Sequence, residues 1–232
     1  MNRRLEESVF VDNATYQHVA AVLLLDISGS MKGTNISELN EGLKVFRDAV
    51  KGNPIASRSV DVAVVTFNDV VEIVHDFSGI DDFDPPTLSA EGRTAMGEAI
   101  LRAADIVEKR KQVYKDNGVD YYRPWIFMIT DAELEGLDMQ PGDAKWNKVR
   151  GVIQDGETSK KFLFFCVGVN DADMDVLSKL AQKSFPAIKL KEKQFEEMFL
   201  WLSKSLEITL QNKPGEQTTI QTPAQSGWGF ES

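Results

Sequence analysis

One segment does most to limit what this chain can become. Val19-Ala-Ala-Val-Leu-Leu-Leu25 is an unbroken apolar run that ends abruptly at the polar turn Asp26-Ile-Ser-Gly-Ser30. A short, continuous apolar run closed by a Gly-containing turn is the pattern of a strand buried on both faces. Such strands belong to sheets covered by helices on each side, so the segment points to an α/β architecture.

The rest of the chain fits that reading. Ile36, Leu39, Leu43, Phe46 and Val50 recur at helical steps and predict a helix with one apolar face, stopped by Gly52-Asn53-Pro54. Val60 to Phe67 and Val70 to Phe77 read as strands joined by the tight-turn pair Asn68-Asp69, a hairpin. Ser78 to Arg93 is polar and contains Pro85-Pro86, as a long loop does. A second helix begins near Thr94, with Met96, Ala99, Ile100, Ala103 and Val107 inward. Trp125 to Thr130 is a strand, Trp146, Val149 and Ile153 mark a third helix, and Phe162 to Val169 is another buried strand. Helices near Asp173 to Ala181 and Gln194 to Leu210 flank a short strand at Ala187 to Leu190. Alternating strands and helices predict a doubly wound, mostly parallel sheet, and the hairpin adds one antiparallel edge.

Composition narrows the function. The chain has 232 residues, 42% hydrophobic and 27% charged, with net charge −10. An acidic protein repels phosphate backbones, which argues against nucleic acid as a partner. The densest basic stretch, Lys109-Arg110-Lys111, reads as the solvated end of a helix. Cys166, the one cysteine, sits in an apolar strand and reads as a core residue. The charged start Met1 to Ser8 lacks the apolar stretch of a secretory signal, and no apolar run is long enough to cross a bilayer. The expectation is a cytoplasmic protein without a membrane partner. His18 and His75 lie far apart in sequence and suggest structural roles.

The chemistry concentrates at the end of the first strand. Asp26, Ser28 and Ser30 carry side-chain oxygens, Gly29 permits a tight turn, and ligands of open α/β sheets bind outside the carboxyl ends of strands. Hard oxygens favour a hard cation such as Mg²⁺, with Mn²⁺ or Ca²⁺ also compatible. Thr94, opening the second helix, and Asp131, ending the Trp125 strand, belong to the same crevice. Glu133, Glu135 and Asp138 are candidates for its rim, and Asp81, Asp82 and Asp84 read as solvated loop charges.

Asp26-x-Ser28-x-Ser30 followed by Thr94 and Thr130-Asp131 resembles the metal-ion-dependent adhesion site of von Willebrand factor A domains. The resemblance implies a Rossmann-like sheet of six strands with helices on both faces, spanning residues 18–211. Residues 1–17 are then an extension and 212–232 a flexible tail. It also implies that Ser28, Ser30 and Thr94 bind Mg²⁺ directly or through water, that Asp26 and Asp131 act through waters, and that a carboxylate from a partner protein fills the open position. Two positions depart from the usual pattern. Arg93 stands where glycine is common in Gly92-Arg93-Thr94, and Ala132 replaces glycine after Thr130-Asp131, so the loop backbones are expected to differ. Within the family, the Leu23 to Met31 opening, Asn40-Glu-Gly-Leu43 and Ser226-Gly-Trp-Gly229 resemble the TerY-like proteins of bacterial tellurium-resistance and stress operons. Their neighbours are kinase- and phosphatase-like proteins.

Other readings are weaker on the residues. A haloacid-dehalogenase-type phosphatase needs a second aspartate where this chain has Ser28, and no phosphate-binding glycine loop follows the first strand. The chain therefore reads as a non-enzyme. A scaffold binding through its tail stays open, because Trp228 and Phe230 either pack back on the domain or serve as a docking motif.

Overall fold

The computed structural model describes residues 11–132, 137–213 and 219–231. Its strands are β1 (Val19–Asp26), β2 (Val60–Phe67), β3 (Val71–Gly79), β4 (Trp125–Thr130), β5 (Leu163–Gly168), β6 (Ile188–Leu190) and β7 (Gly229–Glu231). Its helices are α1 (Thr34–Lys51), α2 (Ala56–Ser59), α3 (Met96–Asp116), α4 (Ala144–Thr158), α5 (Met174–Leu180), α6 (Phe195–Leu210) and α7 (Pro223–Ser226). The strands form one sheet in the order β3-β2-β1-β4-β5-β6-β7. All neighbours are parallel except the two edge pairs, β2–β3 and β6–β7.

Every residue of β1, β2 and β4 is buried, as unbroken apolar strands require. The two-residue alternation of a strand splits β1 between two cores. Val19, Ala21, Leu23 and Leu25 pack with the apolar stripes of α1 and α6. Ala20, Val22 and Leu24 face α3, α4 and α5. Each fully buried aliphatic or aromatic side chain contributes roughly 1.5–3 kcal/mol. The α1–α6 contact is close enough to require glycine, since a Cβ on Gly42 would fall 2.3 Å from the Phe199 ring.

The C-terminus differs from the sequence expectation. The sheet has seven strands and two antiparallel edges, because Gly229–Glu231 pairs with β6. Trp228 is fully buried, its ring centroid 5.2 Å from that of Trp201, and α7 opens on a Thr222–Gln225 capping box. Residues 219–231 are thus packed on the domain rather than a loose tail, and Trp228 is a core residue.

A second correction concerns Arg110. The basic stretch 109–111 is not a uniformly solvated face. Arg110 turns inward from α3, 3% exposed, and its guanidinium donates to Asp61 Oδ2 at 3.0 Å. The Tyr114 hydroxyl donates to the same oxygen at 2.5 Å, and His18 Nδ1 lies 3.1 Å from it. His18 has the structural place expected of it. His75 is 2.8 Å from the Ser78 hydroxyl and meets the Phe83 ring edge-on. The loop aspartates Asp81 and Asp84 form exposed pairs with Lys51 and Arg47.

Candidate metal centre

From β1 the chain winds outward through β2 to one edge of the sheet, then returns to β4 on the other side of β1. The point of reversal lies between β1 and β4, and there the following loops diverge and leave a crevice at the carboxyl ends of the strands. Asp26 ends β1 and Thr130 ends β4, so Asp26, Ser28, Ser30 and Asp131 are all delivered to that crevice.

Asp26 is fully buried and held on both oxygens. Oδ1 accepts the Ser28 amide at 2.8 Å, and Oδ2 accepts the Thr130 hydroxyl at 2.6 Å. Ser30 lies in a single 3₁₀ turn, Gly29–Met31, and its hydroxyl oxygen is 3.1 Å from that of Ser28. The loop bearing Thr94 is clamped onto this turn. The Gly29 amide donates to the Gly92 carbonyl at 2.9 Å, the Glu91 amide to the Ile27 carbonyl at 2.8 Å, and the Ala95 amide to the Asn68 carbonyl at 2.8 Å. Farther back, the Asn40 side chain grips both backbone groups of Leu88, at 2.9 and 2.8 Å, and fixes the long loop to α1. Thr94 and Asp131 are 3% and 2% exposed.

Both departures from the usual motif are accommodated. Gly92 supplies a positive φ of 79°, and a Cβ there would collide with the Asp69 carboxylate. Ala132 adopts φ 39° despite its Cβ, a strain of about 1 kcal/mol. Its amide is repaid with a 3.0 Å bond to the Thr130 hydroxyl. Thr130 stood in the motif read from sequence, but this role of its hydroxyl was not foreseen. It donates to Asp26 and accepts from Ala132, and a polar residue ending an otherwise apolar strand was the available signal.

Burial, and after it the charge of Asp131, raises the Asp26 carboxyl, while hydrogen bonds from Ser28 and Thr130 pull it down; the balance leaves it at about 7 against an ordinary 3.8. Two buried carboxylates, the charge of Asp131 raising Asp26, beside paired hydroxyls make a donor set that a divalent cation fits. Among the described residues no three His, Cys, Asp or Glu side chains converge, so hydroxyls have to complete any ligand set. Such oxygen ligation suits Mg²⁺, Mn²⁺ or Ca²⁺ rather than zinc.

Of the expected rim residues, Glu133 and Glu135 lie outside the described residues. Asp138 instead caps α3, accepting the Gly97 and Glu98 amides at 2.8 and 3.1 Å and pairing with Lys145. Ser30 and Asp131 open onto a groove of about 880 Å³ that Phe230, half exposed, also lines. Cys166 is buried, and desolvation pushes its thiol up, away from reactivity.

A doubly wound sheet with an Asp-Ser-Ser turn and a second aspartate at its switch point defines an α/β domain with an oxygen-lined crevice. Residues 21–199 match the von Willebrand factor type A domain family, and the chain belongs to that family. A search of curated protein sequences gave no significant match. Among solved structures, the von Willebrand domain of the type V pili tip protein Mfa5 from Porphyromonas gingivalis superposes with TM-score 0.58 at 13% identity, covering 88% of this chain and 99% of that one. The pilus adhesin SpaC from Lactobacillus rhamnosus GG gives TM-score 0.61 at 11% identity over 84% and 31% of the two chains. Proximal thread matrix protein 1 from the mussel byssus gives 0.54 at 14% over 83% and 48%. The chain therefore spans less than half of the byssus and SpaC chains. At these identities the likeness is one of fold.

Proposed function

We propose that this domain is a metal-dependent protein-interaction module in which Asp26, Ser28, Ser30, Thr94 and Asp131 hold a divalent cation, with Mg²⁺ the first choice. The observation that carries the reading is the crevice itself. It gathers hydroxyls and two buried carboxylates with no basic side chain among the Asp26 hydrogen bonds. When bound, the cation would supply a Lewis-acidic grip on an acidic oxygen. The chain's own part is to orient the ligands. Thr130 and the Ser28 amide fix Asp26, and the clamped 91–95 loop fixes Thr94. The open side at Ser30 and Asp131 leaves room for a carboxylate from a partner protein. We assign no catalytic residue, and the module acts by binding.

The adhesin and pili tip proteins among the structural neighbours are in keeping with an interaction role. The Leu23 to Met31 opening, Asn40 and the Ser226 to Gly229 segment favour a TerY-like place in bacterial tellurium resistance or stress response, in the cytoplasm. A kinase- or phosphatase-like protein would then be the partner. No helix of the described residues is long and apolar enough to cross a membrane.

Calorimetric titration of metal-free protein with Mg²⁺ and Mn²⁺ tests the site. Binding by the wild type and none by a Ser28→Ala/Ser30→Ala variant is expected. Equal heats from the two proteins would sink the assignment.

A further inference from the structure

The groove outside Ser30 and Asp131 has a wall that the metal reading does not explain. Across the β6–β7 edge, Lys189 is paired in register with Phe230. Residues directly opposite in an antiparallel pair project from the same face of a sheet. Both side chains line the groove, together with Lys191 and Lys193.

Two of these lysines are held by the main chain. Lys44, Lys51, Lys109, Lys111, Lys145, Lys161 and Lys204 each pair with a carboxylate. Lys189 and Lys191 instead donate to main-chain carbonyls, those of Asn170 and Gly227. Their ammonium groups are thereby steadied at the wall, with no ion pair to a carboxylate among the described residues. Phe230 beside them is 50% exposed, and buried Trp228 and the β6 pairing hold its backbone in place. An exposed aromatic fixed on a rigid strand next to steadied cations has the makeup of an interface anchor.

Glu38, Asp131, Asp171 and Glu192 also line the groove, four carboxylates against its three lysines, so without a cation the wall is net acidic. A divalent cation beside Asp131 adds two positive charges at the groove's end and tips that balance toward acidic ligands.

We propose that this groove is the second half of the partner interface. A partner segment that gives one carboxylate to the cation continues over the β6–β7 edge, with further acidic side chains on Lys189 and Lys191 and an apolar side chain on Phe230. The inference rests on the metal reading and adds the partner's chemistry, an acidic peptide segment with an apolar foothold.

The test uses the whole chain and a fluorescein-labelled, aspartate-rich peptide carrying one leucine, followed by anisotropy with and without Mg²⁺, beside calorimetry of Mg²⁺ alone. Binding only in Mg²⁺ is expected. Lys189→Gln/Lys191→Gln should weaken it about fivefold, as two surface ion pairs do. Phe230→Ser should weaken the leucine peptide more than a leucine-to-serine version. Mg²⁺ affinity should stay the same in both variants. Unchanged peptide affinity in both variants, with Mg²⁺ binding intact, overturns the groove and spares the metal site. Absence of Mg²⁺ heat in the wild type overturns the metal site, and the groove falls with it.

Discussion

Asp26 and Asp61 are both fully buried carboxylates, on adjacent parallel strands, and they are treated in opposite ways. Asp61, near the start of β2, meets the Arg110 guanidinium, the Tyr114 hydroxyl and the His18 ring. Burial pushes its carboxyl up, but the His18 hydrogen bond and the Arg110 charge outweigh that and hold it below the ordinary range. Asp26, at the far end of β1, receives an amide and a hydroxyl and stays raised to about 7. At one end of the sheet the chain carries its own counter-ion and the site is closed. At the other it leaves a carboxylate short of positive charge, beside an opening. The second end is where the proposed cation would supply the missing positive charge.

Breaking the closed end should have the largest effect. Asp61→Ala leaves Arg110 buried without its carboxylate and is expected to cost about 3–5 kcal/mol in urea unfolding. A loss below about 1 kcal/mol would show that Arg110 reaches water and that the contrast is false. The two ends should also answer pH with opposite sign. Asp61 has a lowered folded value, so its contribution is present above the ordinary carboxylate range and is lost as pH falls through that lowered value. Asp26 is raised, so in metal-free protein stability declines as pH rises from 3.8 toward about 7, then levels off. Thermal melts in chelator should show both limbs, and Asp26→Asn should erase only the upper one. A persistent upper limb in that variant would assign it to another group. Smallest in stability is Thr130→Val, expected to cost about 1 kcal/mol and to weaken Mg²⁺ roughly tenfold by freeing Asp26. Unchanged Mg²⁺ affinity would mean that the Asp26 rotamer does not matter.

Much of the fold was legible because its strands are short apolar runs and its helices carry regular stripes. β1, β2, β4 and α4 fall where those patterns put them. The candidate ligands were legible for a related reason, since Asp26 and Asp131 follow strand ends that the apolar runs mark. β7 was not, because its three residues sit in a Gly-, Thr- and Gln-rich context with no periodicity. What fixes it is a long-range contact, Trp228 on Trp201. The Asp61 cluster escaped for the same reason, its members being joined only by tertiary packing. A clue was present, however. A lone aspartate inside the apolar run Val60-Asp61-Val62 requires a buried partner, and Arg110 on α3 supplies it.

The bond between Asp26 and Thr130 joins residues 104 apart in the chain, and the 91–95 loop is clamped beside them from a third segment. No fragment can assemble that crevice before β1, β4 and the clamped loop are all in place. A cation held there would bind the folded state alone, and at a hundredfold excess over its Kd would add about 2.7 kcal/mol to the unfolding free energy. By mass action, ambient cation would then set how long the folded domain, including its far β3 edge, survives a protease.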